Sequence, residues 1–281
     1  MIRTTCVVLL LMATAGWFPV QPAPPPSSSP QDAIHRPLDQ LLDLYVRDGF
    51  VYYRALKSDR RSLDGYLATL ERTVVEGWSR EEQVAFWLNA YDAIVLRTVI
   101  NRYPIAGTSR EYPSKSIRQI AGAFERATHK VAGRAVTLDG IEGDILNGFG
   151  DPRVFLALGR GSVGGGRLRS EAFTGAQLEA QLHQVAAEFP TRHELLRVDT
   201  GARRMSVTPI VSWRQGSFIA AYADRADPRF ASRSPIERAV IAFVLPNLLP
   251  AERSFVQANE FAVVFHDYDW RLNDLTGGAP R

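Results

Sequence analysis

The residues whose spacing most resembles a known chemical motif form a glycine-rich stretch in mid-chain, "GRGSVG" at positions 159–164. This stretch fits the G-x-G-x-x-G pattern of dinucleotide-binding loops, and it follows an apolar run at positions 154–158 that we interpret as a buried strand. In a dinucleotide-binding unit the glycine loop opens directly into a helix, whose N-terminus meets the pyrophosphate. Here the next helical pattern begins only near Thr174. We therefore interpret the stretch as a flexible loop and expect no cofactor.

Ser162 lies in this loop, and its hydroxyl could serve as a nucleophile. The nucleophile elbow of lipases requires a glycine two residues before the serine, and Arg160 stands there instead. No two of the five histidines have the i, i+4 spacing of a helical zinc site. His266 and its acidic neighbours are explained equally well by alternation along a final strand, so we predict no metal site.

Asn89 and Asp92 form a polar pair inside the most apolar stretch of the chain, "VAFWLNAYDAIVL". Ser79 followed by Glu82 is a capping-box signature, which predicts that a helix begins there. Residues three apart share a helix face, and buried polar groups must find partners. The pair either anchors neighbouring loops or lines a ligand pocket, and we keep both residues as ligand-binding candidates.

Composition describes an ordinary folded protein with weak overall charge. Lys and Arg total 33 against 30 acidic residues, and hydrophobic residues make up 46% of the chain. The positive charges are scattered, so we expect no nucleic-acid partner. Cys6 is the only cysteine. If residue 6 is removed by processing, thiol catalysis, disulfides and cysteine-bound metals are all excluded.

The first residues have the pattern of a secretory signal peptide. Arg3 is followed by an apolar run at positions 6–12 and then by Ala13-Thr14-Ala15. We assign residues 1–15 to a signal peptide, 16–34 to a Pro/Ser-rich tether and 35–281 to one globular domain. The apolar run is shorter than the roughly 20 residues that span a bilayer, and no later segment is apolar enough. The expected location is the periplasm or the outside of the cell.

Helical patterns alternate irregularly with short strands in the globular part, which predicts an α+β fold. The patterns predict hairpins at "HKVAGRAV" and around "DTG" at 199–201, with an amphipathic helix between them near 174–189. "FAVVFHDYDWRLND" is predicted to form a final strand. We expect a single helix-rich domain with a small, mainly antiparallel sheet.

Several stretches together resemble, in order, the successive blocks of the domain of unknown function 547 family (DUF547). They are "GFVYYRAL", "AFWLNAYDAIVL", "YPSKSIRQI", "VTLDGIEGDIL", "DPRVFLAL", "LRSEAFTGAQLEAQL" and "YDWRLND". The resemblance covers about residues 38–274 and implies no settled activity.

The chain departs from that family in the glycine-rich stretch. Family members usually carry His where this chain has Phe155, Cys where it has Arg160, and Cys-Pro where it has Gly165-Gly166. The resemblance implies thiol, redox or metal chemistry at those positions, and neither Phe155 nor Arg160 can perform it. The glycines here thus resemble a family loop whose reactive side chains have been replaced.

These observations favour a non-catalytic binding or scaffold domain. Its partner would be a small anionic ligand, held by Arg160, Arg167, Arg169 and the glycine N–H groups beside Phe155, or an exported protein. The alternative is a hydrolase or transferase that has moved its chemistry to other side chains. The candidates for that chemistry are Ser162, His129 and Glu142.

Overall fold

The structure, a computed structural model, describes residues 29–275. The α-helices in this range are α1 (Pro30–Ala33), α2 (Arg36–Tyr45), α3 (Tyr53–Ser58), α4 (Arg61–Arg72), α5 (Arg80–Arg102), α6 (Leu138–Gly140), α7 (Arg153–Ala157), α8 (Leu178–Glu188), α9 (Pro209–Trp213), α10 (Gln215–Tyr222), α11 (Pro235–Val244) and α12 (Pro250–Gln257). The strands are β1 (Val46–Arg47), β2 (Phe50–Val51), β3 (His129–Val131), β4 (Arg134–Val136), β5 (Leu196–Asp199), β6 (Arg204–Val207) and β7 (Ala262–Phe265). The expected signal peptide and most of the expected tether lie outside the described residues.

Helix α5 is the centre of the fold, as its apolar composition predicts. The Ser79 hydroxyl accepts a hydrogen bond from the Glu82 N–H, and the Glu82 carboxylate accepts one from the Ser79 N–H, which completes the predicted capping box. Trp87 is 2% exposed and Tyr91 is fully buried. Helices α3, α4 and α8 pack around α5. A helix that is apolar nearly all round is stable only in such surroundings.

The described residues form three small sheets beside the helices, so the predicted helix-rich α+β fold is confirmed. The pairs β1–β2 and β3–β4 are antiparallel hairpins. In the third sheet β6 pairs antiparallel with β5 and parallel with β7. The final strand is shorter than the sequence predicts, because after Phe265 the chain leaves the sheet in an irregular segment.

The apolar run before the glycine-rich stretch is a helix, and the interpretation as a strand is wrong. Arg153–Ala157 form α7, and the Asp151 carboxylate accepts a hydrogen bond from the Arg153 N–H at its start (3.0 Å). Residues 154–157 are all buried. A short, continuously apolar run has no period that separates a buried strand from a buried helix.

A compound helix made of three successive segments runs from Leu138 to Phe149. It begins with α6, continues as a π-helical turn (Ile141–Leu146) and ends as a 3₁₀ turn (Asn147–Phe149). Thr137 caps its N-terminus, since the Thr137 hydroxyl accepts a hydrogen bond from the Gly140 N–H (3.0 Å). The wider π turn places Glu142 against α5.

The N-terminal residues that the structure describes pack on the domain. Asp32 in α1 is buried, and its carboxylate accepts hydrogen bonds from the N–H groups of Gly175 (2.6 Å) and Ala176 (3.3 Å). Next to α1, buried His35 is hydrogen-bonded to the Tyr66 hydroxyl (2.7 Å). Residues 29–34, which we assigned to the tether, therefore contact the domain directly.

The C-terminal segment closes the fold against its beginning. The N–H of Val51 donates to the carbonyl of Asn273 (2.9 Å), and the N–H of Leu275 donates to the carbonyl of Val51 (3.0 Å). The Asn273 side chain also bonds the Tyr53 hydroxyl and the Gly49 carbonyl. Between residues 29 and 275, no helix has both the length and the apolar character needed to cross a membrane.

Candidate functional site

A cavity of about 370 Å³ lies where the compound helix, the α9–α10 junction and the segment after β7 meet. This volume is within the range of roughly 300–1,000 Å³ that is typical of small-molecule sites. The cavity is lined by Arg118, Phe124, Asp139, Glu142, Gly143, Arg160, Trp213, Arg214 and Trp270. Of the candidates from sequence, only Glu142 and Arg160 line it.

A buried ion pair forms the floor of the cavity. Arg160 donates from Nη2 to Glu142 Oε1 (2.7 Å) and from Nε to Oε2 (3.2 Å). Its Nη1 donates to the Phe155 carbonyl (2.9 Å), so each guanidinium nitrogen has a protein acceptor. The side chains of Arg160 and Glu142 are only 3% and 8% exposed. The Arg160 guanidinium is therefore hydrogen-bonded entirely within the protein interior.

Arg214 reaches the same carboxylate from the other side. It donates from Nη2 (3.0 Å) and Nε (3.2 Å) to Glu142 Oε1, and its side chain is 27% exposed. Burial opposes ionisation of Glu142, but the charges of Arg160 and Arg214 and their hydrogen bonds outweigh burial and lower its pKa. Glu142 is therefore an ionised carboxylate at neutral pH and a poor proton donor.

Aromatic rings form one wall of the cavity. The rings of Trp213 and Trp270 are stacked, with centroids 6.3 Å apart and planes 20° apart, and Tyr268 packs against both. Trp213 is 47% exposed. The Arg118 guanidinium lies over the rings of Phe124 (4.5 Å) and Trp270 (4.6 Å). Such cation–π contacts hold Arg118 at the rim without using its N–H groups.

Two of these arginines retain donors that no residue within 29–275 accepts. Arg118 Nη1 donates to Glu125, while its Nε is buried without a hydrogen-bond partner among the described residues. Arg214 donates from Nε and Nη2 to Glu142, and its Nη1 donates no hydrogen bond to any residue in the described range. The side chains of Arg118 and Arg214 are 23% and 27% exposed, so the accessible parts of both guanidinium groups can donate to a ligand.

Asp139 adds a carboxylate at the cavity rim. Its backbone N–H donates to the Phe124 carbonyl (3.0 Å), and no hydrogen bond to its side chain occurs within residues 29–275. Burial and the nearby carboxylates of Glu125 and Glu142 raise the pKa of Asp139, although Arg118 and Arg214 oppose them. The cavity thus holds one free carboxylate beside one that is fully paired.

The glycine-rich stretch is a packed element, and the interpretation as a flexible loop is wrong. A Cβ atom added to Gly166 would lie 1.9 Å from the Leu156 carbonyl oxygen, and one added to Gly164 would lie 2.7 Å from the Asp269 backbone nitrogen. Gly161 has φ +66°, a conformation that favours glycine. The glycines therefore allow close approach of protein backbone, which the G-x-G-x-x-G spacing alone does not distinguish from approach of a cofactor.

Asn89 and Asp92 anchor loops, the first of the two alternatives drawn from sequence. The Asn89 side chain donates to the Phe173 carbonyl (2.8 Å) and accepts from the Phe173 N–H (2.9 Å). Asp92 accepts from the Gly159 N–H (2.9 Å). Burial raises the pKa of Asp92 to about 7, against the opposing effects of the Gly159 hydrogen bond and Arg160. Both residues are outside the cavity lining.

The remaining candidates for anion binding also lie outside the cavity. Arg167 forms a two-bond ion pair with Glu188 (2.6 and 2.8 Å). Arg169 contacts Glu171 and Gln184. Buried Phe155 lies beneath the Arg214 guanidinium, which is 5.1 Å from the ring centroid. Phe155 thus supports a cavity residue without reaching the cavity itself.

Ser162 and His129 are held by different partners. The Ser162 and Tyr268 hydroxyls share a hydrogen bond of 2.7 Å, and burial raises the pKa of Tyr268 to about 12 despite the effects of Arg160 and Ser162. His129 Nδ1 lies 3.2 Å from Arg97 Nη2, and burial together with the Arg97 charge lowers the pKa of His129 to about 4. The structure thus does not join Ser162, His129 and Glu142 into one catalytic group.

The sequence did not point to seven of the nine cavity residues: Arg118, Phe124, Asp139, Gly143, Trp213, Arg214 and Trp270. Arg118, Asp139 and Trp270 fall in the blocks "YPSKSIRQI", "VTLDGIEGDIL" and "YDWRLND". The resemblance of these blocks to the family is the signal that could have identified the three residues. Trp213-Arg214 lies outside any block. Within residues 29–275 no group of three or more His, Cys, Asp and Glu side chains is arranged to hold a metal ion.

Comparison with known proteins gives one match. Residues 75–189 match a family model described as "Protein of unknown function, DUF547", so the family resemblance seen in the sequence is confirmed. The matched segment includes α5, the compound helix, α7 and the glycine-rich stretch. A search of curated proteins and a search of solved structures found no match.

Proposed function

Because residues 75–189 match the DUF547 family model, whose description names no activity, we propose a function from the site itself. The protein is a binding domain that holds a small anionic ligand in the cavity between Arg118 and Arg214, without chemical conversion. The observation that carries this proposal is that the partly exposed guanidinium groups of Arg118 and Arg214 line the same open cavity.

The charges around the cavity support an anionic ligand. Among the lining residues, Arg118, Arg160 and Arg214 stand against the carboxylates of Glu142 and Asp139. Arg118 also pairs with Glu125, which lies outside the lining. Since Arg160 is fully paired with Glu142, the positive charge that faces the open part of the cavity belongs to Arg118 and Arg214. Guanidinium groups bind carboxylate and phosphate through two parallel hydrogen bonds, which suits a ligand with either group.

The state of the reactive side chains supports binding without catalysis. Ser162 contacts a tyrosine whose pKa is raised, which makes Tyr268 a poor general base near neutral pH. Glu142 accepts hydrogen bonds from two arginines, and these contacts stabilise its ionised form and reduce its basicity. The hydrolase or transferase alternative needs a base for Ser162, and His129 is held by Arg97 instead.

Titration with sodium acetate and with inorganic phosphate tests the proposal. Heat of binding should be measured at low ionic strength for the wild type, Arg118→Ala and Arg214→Ala. Charge-assisted hydrogen bonds contribute about 1.5–3 kcal/mol each, so each variant should bind roughly 10- to 150-fold more weakly. Binding should also weaken as salt is added, because the arginines are partly exposed.

Arg225→Ala is the matched control, since it removes the same charge from an exposed position outside the cavity. It should bind like the wild type. Arg214→Lys separates charge from geometry and should retain part of the affinity. If neither acetate nor phosphate binds, or if Arg225→Ala weakens binding as much as Arg214→Ala, the proposal is wrong.

We also propose that the protein is exported, a proposal that rests on the sequence of residues 1–15. Arg3, the apolar run and Ala13-Thr14-Ala15 support cleavage near Gly16. N-terminal sequencing of the protein purified from its native host should find the first 15 or so residues missing. An intact Met1 in the cytoplasmic fraction would contradict export.

A further inference from the structure

The cavity carries two features that binding of a simple anion does not use. One is the half-exposed Trp213 ring, which is stacked on Trp270 and supported by Tyr268. The other is the carboxylate of Asp139, an exposed residue at the rim whose side chain forms no hydrogen bond within the described range 29–275. A ligand that fits the whole cavity must therefore combine an anion, a flat face and hydrogen-bond donors.

Building on the proposed function, we propose that the ligand is a sugar acid: a pyranose ring that carries a carboxylate, of the uronic acid class. Its carboxylate binds the donors of Arg118 and Arg214. Its hydroxyl groups donate to Asp139, and its apolar C–H face lies on the Trp213 ring. Each of the three parts of such a ligand has a matching group on the cavity wall.

The unpaired carboxylate argues for hydroxyl groups on the ligand. An ionised carboxylate can only accept hydrogen bonds, so Asp139 needs donors on any ligand that displaces its water. A second carboxylate would be repelled there, and an apolar ring would leave Asp139 desolvated and unpaired, which is costly. Hydroxyl groups satisfy Asp139 directly. This distinguishes a sugar acid from an aromatic acid of similar size.

The aromatic wall argues for a ring with a flat apolar face. The faces of aromatic rings carry partial negative charge, so they favour the partially positive C–H groups of a saturated ring. Trp213 is supported by two aromatic neighbours and is half-exposed, which leaves ring surface available. Ligand sites typically combine such an apolar surface with a few placed polar groups.

Titration with D-glucuronate, D-glucose, benzoate and acetate at pH 7 tests this assignment. Calorimetry is paired with tryptophan fluorescence, because ring stacking on Trp213 should change its emission. D-glucuronate should bind at least about tenfold more tightly than acetate or D-glucose, since only D-glucuronate engages both the arginines and Asp139. Trp213→Ala should weaken D-glucuronate binding by about 3- to 10-fold, while Trp213→Phe retains most of it.

Asp139→Asn gives a test in which the affinities for acetate and for D-glucuronate should change in opposite directions. Loss of this negative charge should leave acetate binding unchanged or tighter, because Asp139 repels an anion. The same substitution should weaken D-glucuronate binding by about tenfold, because loss of the strong acceptor for its hydroxyl groups outweighs the relief of charge repulsion. A merely structural role for Asp139 would affect both ligands alike.

The outcomes separate failure of this assignment from failure of anion binding. If benzoate binds as tightly as D-glucuronate, or if Trp213→Ala and Asp139→Asn leave D-glucuronate binding intact, the sugar acid assignment is wrong and anion binding stands. If none of acetate, phosphate, benzoate and D-glucuronate binds, the proposed function itself fails, and this assignment fails with it.

Discussion

Arg160 and Glu142 form a two-bond ion pair in the protein interior, with Arg160 Nη2 2.7 Å from Glu142 Oε1 and both side chains buried. The sequence offered Arg160 as an anion-binding residue. The structure gives that guanidinium an internal carboxylate in place of an external ligand. The pair therefore stabilises the floor of the cavity and leaves ligand binding to Arg118 and Arg214.

Arg160→Met should act on stability more than on binding. Removal of one partner leaves Glu142 buried and only partly compensated by Arg214, which should cost about 3 kcal/mol or more in free energy of unfolding. Urea denaturation measures this cost. In a Glu142→Gln background the same substitution should cost much less, because no buried charge is left unpaired. An equal cost in both backgrounds would contradict a direct coupling between the two residues.

His35 should make the fold less stable in acid. Burial lowers the pKa of His35 from 6.5 to about 4, although nearby Asp32 raises it. A His whose pKa is depressed by folding contributes stability above pH 6.5, and that stability is lost as the pH falls from 6.5 towards 4. At about 1.4 kcal/mol per pKa unit, the loss is on the order of 3 kcal/mol.

His35→Gln isolates this effect, because glutamine cannot titrate in that range. The difference in unfolding free energy between wild type and His35→Gln should shrink as the pH falls from 7 to 4. Equilibrium denaturation at several pH values checks the trend. His129, whose pKa is also lowered, remains in both proteins and cancels from the difference. A constant difference would mean that His35 is not buried in its neutral form.

Asp92 should have the opposite pH dependence. Burial raises its pKa from 3.8 to about 7, so its contribution to stability is full below 3.8 and is lost as the pH rises to 7. Asp92→Asn keeps a carbonyl oxygen for the Gly159 N–H and removes the ionisation. The variant should gain stability over wild type between pH 4 and pH 7, by a few kcal/mol, and the gain should then level off.

The same denaturation series measures this gain. His35 and Asp92 act in opposite directions between pH 4 and 6.5, so the wild type alone conceals both effects. Each variant removes one effect and exposes the other. If Asp92→Asn is less stable than wild type at pH 8, the carboxylate is required in its ionised form and the raised pKa is wrong.

Gly166, two residues after the glycine-rich stretch, and Gly148 provide a matched test of how tightly this region is packed. Gly166→Ala places a Cβ 1.9 Å from a backbone oxygen, whereas Gly148→Ala meets nothing within 4 Å. Gly166→Ala should therefore lower the melting temperature strongly, with a cost of about 1–3 kcal/mol or more. Gly148→Ala should be neutral or slightly stabilising, because alanine favours helical turns. Equal melting temperatures would mean that the stretch can move away.

Local signals explain which parts of the fold could be predicted from the sequence. Helix α5 combines a capping box with an apolar face, and these signals act within a few residues of one another. Helix α7 was misread because its apolar run has no period. The cavity draws on Arg118, Asp139 and Trp213, from segments whose approach depends on tertiary packing. No local sequence pattern predicts that these three residues lie around one cavity.

The partner of Arg160 could not be predicted from the sequence, for a physical reason. An arginine in a glycine-rich loop has the same local sequence whether its guanidinium meets a ligand or a buried carboxylate. Only the position of Glu142, set by the π-helical turn, decides between these outcomes for Arg160. The pairing of Arg167 with Glu188 is likewise decided by how α8 packs.

The closure of the fold by residues 273–275 has a consequence for how the protein is made. Val51 in the first hairpin completes its backbone pairing only with Asn273 and Leu275, more than 200 residues later. A chain that emerges from the ribosome in order cannot finish this region until its last segment is available. If the protein is exported, the same dependence would leave this region incompletely folded, and so able to pass through a translocation channel, until residues 273–275 have been synthesised.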